Sequence, residues 1–101
     1  MAAGFNEKVW EKISQIPSGK VSTYKEIARA LKSPNAFRAV GNACNKNPNA
    51  PRVPCHRVVS NSGKIGGYAF GVKKKIALLA KEGVRVKGGK IADFDIKLFR
   101  F

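Results

Sequence analysis

The segment VSTYKEIARALKSPNAFRAVGNACNK, residues 21–46, decides the fold. Val21 reads as extended chain, after which Ser22 or Thr23 offers an N-cap hydroxyl and Glu26 stands three residues past Thr23, the spacing of a capping box. Ile27, Ala28 and Leu31 then share the buried face of a short helix. The turn KSPN (32–35) ends it, and AFRAVGNACNK follows as a second helix, with Ser33 or Asn35 as N-cap and Pro48 as the stop. Upstream, Phe5, Val9, Ile13 and Ile16, with Trp10 beside them, mark an amphipathic helix closed by PSGK (17–20). Two short helices joined by a tight turn behind a longer one predict a mainly α, helix-turn-helix, winged-helix-like domain with short β segments.

The second helix is thin. Ala36, Ala39, Gly41 and Ala43 give it small side chains, and Gly41 costs about 1 kcal/mol of helix propensity relative to Ala. Either it packs closely on a neighbouring helix, or it lies against a nucleic-acid backbone in a narrow groove, with Arg38 near its positive N-terminal end.

Downstream, PRVPCHRVV (51–59) and the glycine-rich IGGYAFG (65–71) flank a turn, SNSGK, and form the irregular region where a site is expected. The helix VKKKIALLAKEG (72–83) is predicted to bury Val72, Ile76 and Leu79, to turn Lys73, Lys74, Lys75 and Lys81 elsewhere, and to stop at Gly83. The tail, 84–101, reads as short β segments around KGGK.

With 101 residues there is room for one domain and one modest core. Twenty Lys and Arg stand against 6 Asp and Glu, a formal net charge of +14. Such an excess favours a polyanionic partner, nucleic acid first, although a general solubility charge would look the same. The basic residues are spread along the chain, which argues against a membrane-surface helix, and no apolar run is long enough to span a bilayer. The N-terminus lacks the layout of a signal peptide, so a cytoplasmic protein with reduced thiols is expected, and Cys44 and Cys55 are read as free rather than bridged.

Within NPNAPRVPCHRVV (47–59), Cys55 stands beside His56, the only histidine. A thiol becomes a useful nucleophile near a base or a positive field, and His56, Arg57 and Arg52 could supply both. Neighbours in an extended chain face opposite sides, however, so the pair can cooperate only if the Pro54 turn reorients them or a water bridges them. From these residues alone, an inert core cysteine stays open. Cys44, Cys55 and His56 lack paired ligand spacing and a fourth partner, which falls short of a structural zinc site, so no metal is expected.

RAVGNACNKNPNAPRVPCHRVV, followed by GKIGGYAFGVKKKIALLAKEG and preceded by VSTYKEIA, resembles the C-terminal, active domain of the O6-alkylguanine-DNA alkyltransferases, the methylated-DNA protein-cysteine methyltransferases. The likeness runs from about residue 5 to residue 83 in register across separate motifs. It implies that Cys55 accepts the alkyl group, that His56 is the base acting through a water, that Glu82 orients His56, and that Asn47 braces the active-site turn. Arg38 corresponds to the finger that fills the gap left by the extruded base, and Tyr24 to the phenol that donates toward N3 of the guanine. Ala39, Gly41 and Arg57 fall on the implied DNA-binding surface, and Tyr68, Ala69, Phe70 and Lys75 on the implied base pocket. The expected partner is double-stranded DNA carrying O6-alkylguanine, bound in the minor groove by a monomer. No cofactor is implied, since the alkyl donor is the DNA itself.

The chain starts almost at the family's active domain, so residues 1–101 are read as a single domain without the additional N-terminal one. Phe70 occupies a position that many active members fill with a small residue, whereas alkyltransferase-like proteins, which bind the lesion without repairing it, place a large aromatic near there. Three functions therefore compete: a single-use alkyltransferase, a lesion-binding alkyltransferase-like protein, and a generic basic DNA-binding module.

Overall fold

The computed structural model describes residues 4–101. Helix α1 (Phe5–Ile13) leads through a turn to a two-residue strand β1 (Ser22–Thr23), then to α2 (Tyr24–Ala30) and α3 (Phe37–Asn45). A 3-10 turn (Cys55–Arg57) runs straight into β2 (Val58–Val59), and α4 (Val72–Lys81), the hairpin β3 (Val86–Lys87) and β4 (Lys90–Ile91), and α5 (Phe94–Lys97) complete the chain. The mainly helical class with short strands is as expected.

Thr23 is the N-cap of α2, and its Oγ1 accepts from the Glu26 amide at 3.1 Å. Only that half of the capping box is drawn, because the Glu26 carboxylate faces Arg29 at 3.3 Å and Arg100 at 3.9 Å. At α3 the expectation fails: neither Ser33 nor Asn35 caps it. The N-cap is Ala36, which has no side-chain cap, since the Ala36 amide bonds the Ser33 carbonyl and the chain enters the helix from a tight backbone turn.

The main core joins Val9, Ile13 and Ile16 to Ile27 and Ala28 of α2, Val40 and Ala43 of α3, and Cys55 and Val58. Trp10 Nε1 donates to the Ala43 carbonyl at 2.8 Å, fastening α1 to α3. Phe5, read as core, is 37% exposed at the open first turn. Small residues on α3 do allow close packing, since a Cβ on Gly41 would lie 3.8 Å from the Tyr24 ring.

The strands tie the ends of the sequence to its centre. β1 and β2 pair in parallel, Ser22 with Val58 and Thr23 with Val59. Val21 accepts from the Phe99 amide at 2.7 Å, which brings the tail alongside. The KGGK turn is the expected hairpin, with Gly88 and Gly89 both at positive φ, the requirement of a tight two-residue connection. Around it a second core gathers Val21, Val59, Leu79, Val84 and Ile91.

The reading of α4 needs correction. Its fully buried positions are Lys75 and Leu79, whereas Val72 and Ile76 are exposed. Lys75 sits inside because its Nζ donates to the Val58 carbonyl at 2.7 Å and the Gly67 carbonyl at 3.0 Å, so burial leaves neither the amine nor those carbonyls unmet.

Removing the Thr23 hydroxyl in Thr23→Ala should cost about 1 kcal/mol in denaturant unfolding, while Ser33→Ala and Asn35→Ala should change stability by less than about 0.5 kcal/mol.

Candidate active site

Cys55, His56 and Arg57 form one 3-10 turn between Pro54 and β2. This tighter winding resolves the adjacency problem by carrying both Cys55, 4% exposed, and His56, 2% exposed, inward. Asn47, just past α3, holds the turn from the side. Its Nδ2 donates to Cys55 Sγ at 3.1 Å and to the Val53 carbonyl at 2.8 Å, while its Oδ1 accepts the Asn49 amide.

The thiol is held below its ordinary value. The largest cause is the neighbouring Cys44 thiol; burial opposes it, and the Asn47 bond and the Lys75 charge add to it. Cys44 is driven strongly upward by the neighbouring Cys55 and by its own burial, so it stays protonated. Lys75 is brought down to about 8 by burial, partly countered by the two sulfurs.

His56 Nε2 lies 3.2 Å from Glu82 Oε2. A carboxylate accepts, so Nε2 carries the hydrogen and Nδ1 is left as the basic nitrogen of the neutral ring. Nδ1 is buried with no partner among the described residues. Burial lowers the imidazole pKa, aided by the Arg57 and Lys75 charges and resisted by Glu82, so the ring is neutral at neutral pH. Glu82 is the C-cap of α4, where the helix dipole disfavours a carboxylate. The compensating cation is Arg57 rather than the expected imidazolium: Nε reaches Oε1 at 2.9 Å and Nη2 reaches Oε2 at 2.6 Å. Burial pushes the Glu82 carboxyl up, but the bonds from Arg57 and His56 outweigh it and leave it below the usual range. Arg57 Nη1 also donates to the Ile16 carbonyl at 2.7 Å. Its guanidinium is therefore engaged inside the protein, a structural use in place of the expected DNA contact.

Above the thiol opens a cavity of about 470 Å³. Tyr24, Arg38, Gly41, Cys55, Tyr68 and Ala69 line it, together with Asn42, Cys44, Asn45 and Gly67, which sequence reasoning missed. The signal was present: 38, 41, 42 and 45 follow the i, i+3, i+4, i+7 pattern of one helix face. Burial, with the two cysteines, pushes the Tyr24 phenol up to about 12, so it remains a hydrogen donor. Ala39 is half-buried on α3 outside this lining. Phe70 is also outside: 58% exposed, it stands edge-on to Tyr68 with ring centroids 5.5 Å apart and Lys74 Nζ 5.7 Å from its ring. The loop that brings Tyr68 and Ala69 to the cavity carries the next side chain outward, so Phe70 edges the site rather than filling it. No group of side chains that could hold a metal ion occurs among the described residues.

A cysteine pinned by an asparagine and followed by a histidine on a carboxylate thus lies beneath a pocket walled by α3. Residues 4–84 match the family described as 6-O-methylguanine DNA methyltransferase, DNA binding domain. The chain belongs to this methyltransferase family. A methylated-DNA–protein-cysteine methyltransferase of Methanosarcina mazei is 47% identical over 83 residues, covering 82% of this chain and 52% of that protein. Among solved structures, Mycobacterium tuberculosis OGT in complex with DNA aligns at a TM-score of 0.77 and 45% identity, over 81% of this chain and 51% of that one. S. pombe Atl1 in complex with damaged DNA containing O6-carboxymethylguanine aligns at 0.84 and 31% identity, over 96% and 95% of the two chains. This methyltransferase-family chain spans about half the length of the curated relatives it matches. Among the described residues no helix is long and apolar enough to cross a membrane.

Glu82→Gln should lower stability at neutral pH by ~2 kcal/mol, the scale of charged hydrogen bonds lost in a partly buried site. A carboxyl with a depressed folded pKa contributes stability above its unfolded pKa of about 4.3 and loses it as pH falls through the folded value. The gap between the two proteins in pH-dependent unfolding should therefore be full at neutral pH and close on acidification below that range.

Proposed function

We propose that this chain acts as the active domain of a single-use DNA repair protein, which takes the alkyl group of O6-alkylguanine onto Cys55. The observation that carries the reading is the Cys55 sulfur at the cavity, 3.1 Å from Asn47 Nδ2, beside a neutral His56 whose far nitrogen is committed to Glu82. His56 Nδ1 takes the thiol proton through a water. The thiolate attacks the alkyl carbon in line, the S–C bond forms as the C–O6 bond breaks, and the electron pair passes to the guanine. Tyr24, kept protonated, donates toward N3 where that charge gathers. The thioether has no good leaving group, so each molecule reacts once.

O6 of a stacked guanine cannot meet a thiol at the base of a cavity, so the nucleotide is extruded, and a poorly paired base costs least to flip. Arg38, exposed at the rim on α3, takes the vacated place in the duplex. The small residues of α3, Ala39 and Gly41 among them, let the helix lie in the minor groove, and one copy of the chain engages one lesion. Tyr68 and Ala69 wall the base, and Lys75 fastens Gly67 of that wall to β2.

The alignment with Atl1 over nearly the full length of both chains favours a second reading, lesion binding without transfer. Cys55 discriminates between them, since only a nucleophile can accept the group. Mixed with duplex DNA carrying O6-methylguanine, the peptide containing Cys55 should gain one methyl group in stoichiometric amount, and Cys55→Ala should gain none. An unmodified Cys55 peptide, or lesion removal by Cys55→Ala, rejects the transferase reading. Arg38→Ala should slow transfer from duplex DNA by about tenfold, equivalent to ~1.4 kcal/mol, and spare reaction with the free base; equal losses on both substrates would remove the finger role.

A further inference from the structure

Cys44 takes no step in the transfer above, yet it lines the same cavity as Cys55 and packs against the same core. Asn47 connects the two residues directly: its amide donates to the Cys44 carbonyl at 3.3 Å and its side chain to Cys55 Sγ at 3.1 Å. Between them Pro48, Pro51 and Pro54 stiffen the connecting chain. Both cysteines are free thiols. Cys44 is half-buried, open to the cavity rather than sealed in the core.

We propose that Cys44 is a resolving cysteine, and that hydrogen peroxide entering the lesion pocket converts Cys44 and Cys55 into a reversible disulfide. The asymmetry of the pair suits the two roles, because the thiol held low attacks first and the protonated neighbour follows. The Cys55 thiolate attacks one peroxide oxygen; the S–O bond forms, the O–O bond breaks, and hydroxide leaves, giving the sulfenic acid. Cys44, passing its proton to that hydroxide, then attacks Cys55 Sγ. The S–S bond forms, the S–O bond breaks, and the second oxygen leaves as hydroxide, which takes up a proton as water. Two thiols lose two electrons and the peroxide is reduced to two waters. A small dithiol reverses the bond by exchange. The disulfide protects Cys55 from the irreversible sulfinic and sulfonic acids and, on the proposed function, suspends alkyl acceptance until reduction.

The test is peptide mapping after hydrogen peroxide in several-fold molar excess over the chain, with and without later dithiothreitol. The whole chain should yield a cross-linked species joining the Cys44 and Cys55 peptides, lighter by two hydrogen atoms, and dithiothreitol should return nearly all of its transfer activity. In Cys44→Ser and Cys44→Ala, Cys55 should instead gain two or three oxygen atoms, with recovery, scored against each variant's own unoxidised activity, falling at least fivefold. A wild-type map with Cys55 over-oxidised and Cys44 still a thiol overturns the proposal, as does equal recovery in the variants. The mapping uses unsubstituted protein and needs no transfer activity. A protein that forms the disulfide yet never methylates Cys55 defeats the proposed function alone.

Discussion

Glu82, at the end of α4, accepts two hydrogen bonds from Arg57 and one contact from His56, so a single carboxylate joins that helix to the turn carrying Cys55. Through Arg57 Nη1 the same network reaches the Ile16 carbonyl beyond α1. The arginine neutralises the carboxylate where a helix end would repel it, and burial keeps the histidine free of charge. A neutral imidazole with its outer nitrogen committed to Glu82 presents only Nδ1 for proton uptake. Position and protonation state of the base thus follow from one buried cluster.

A second cluster balances the first across the thiol. Lys75 reaches two backbone carbonyls, one in β2 and one in the glycine-rich loop, with no carboxylate beside its Nζ in the hydrogen bonds it makes. Its charge lowers Cys55, and the sulfurs in turn raise Lys75, so thiolate and ammonium each make the other less costly to bury. Gly67 is part of the cavity wall, and the amine therefore couples the electrostatics of the Cys55 thiol to the shape of the cavity. The chain's +14 charge acts at longer range and, on the proposed function, favours association with DNA.

The helix-turn-helix core was legible because apolar spacing and the Thr23 cap are local signals. Val9, Ile13, Ile27 and Val40 are buried where periodicity placed helices, and the paired glycines 88 and 89 announced a hairpin. Lys75 and Arg57 were misread for one reason: composition treats a basic side chain as solvent-facing, and only the folded chain reveals which carbonyls or carboxylates stand within reach. Asn42 and Asn45 were readable from the spacing of Arg38 but carry no chemistry that draws attention. Phe70 was assigned by its position in a motif, while the direction of a loop side chain depends on backbone geometry that a motif does not encode. The β1–β2 pairing joins residues 36 positions apart, which local patterns cannot specify.

The central claim is that His56 waits as a neutral base, hydrogen on Nε2 and lone pair on Nδ1. Because the chain has one histidine, nitrogen NMR of the labelled protein reads its tautomer without ambiguity. The account predicts a neutral ring protonated at Nε2 at neutral pH, titrating below the ordinary histidine range. An imidazolium at neutral pH, or a neutral ring protonated at Nδ1, would contradict it.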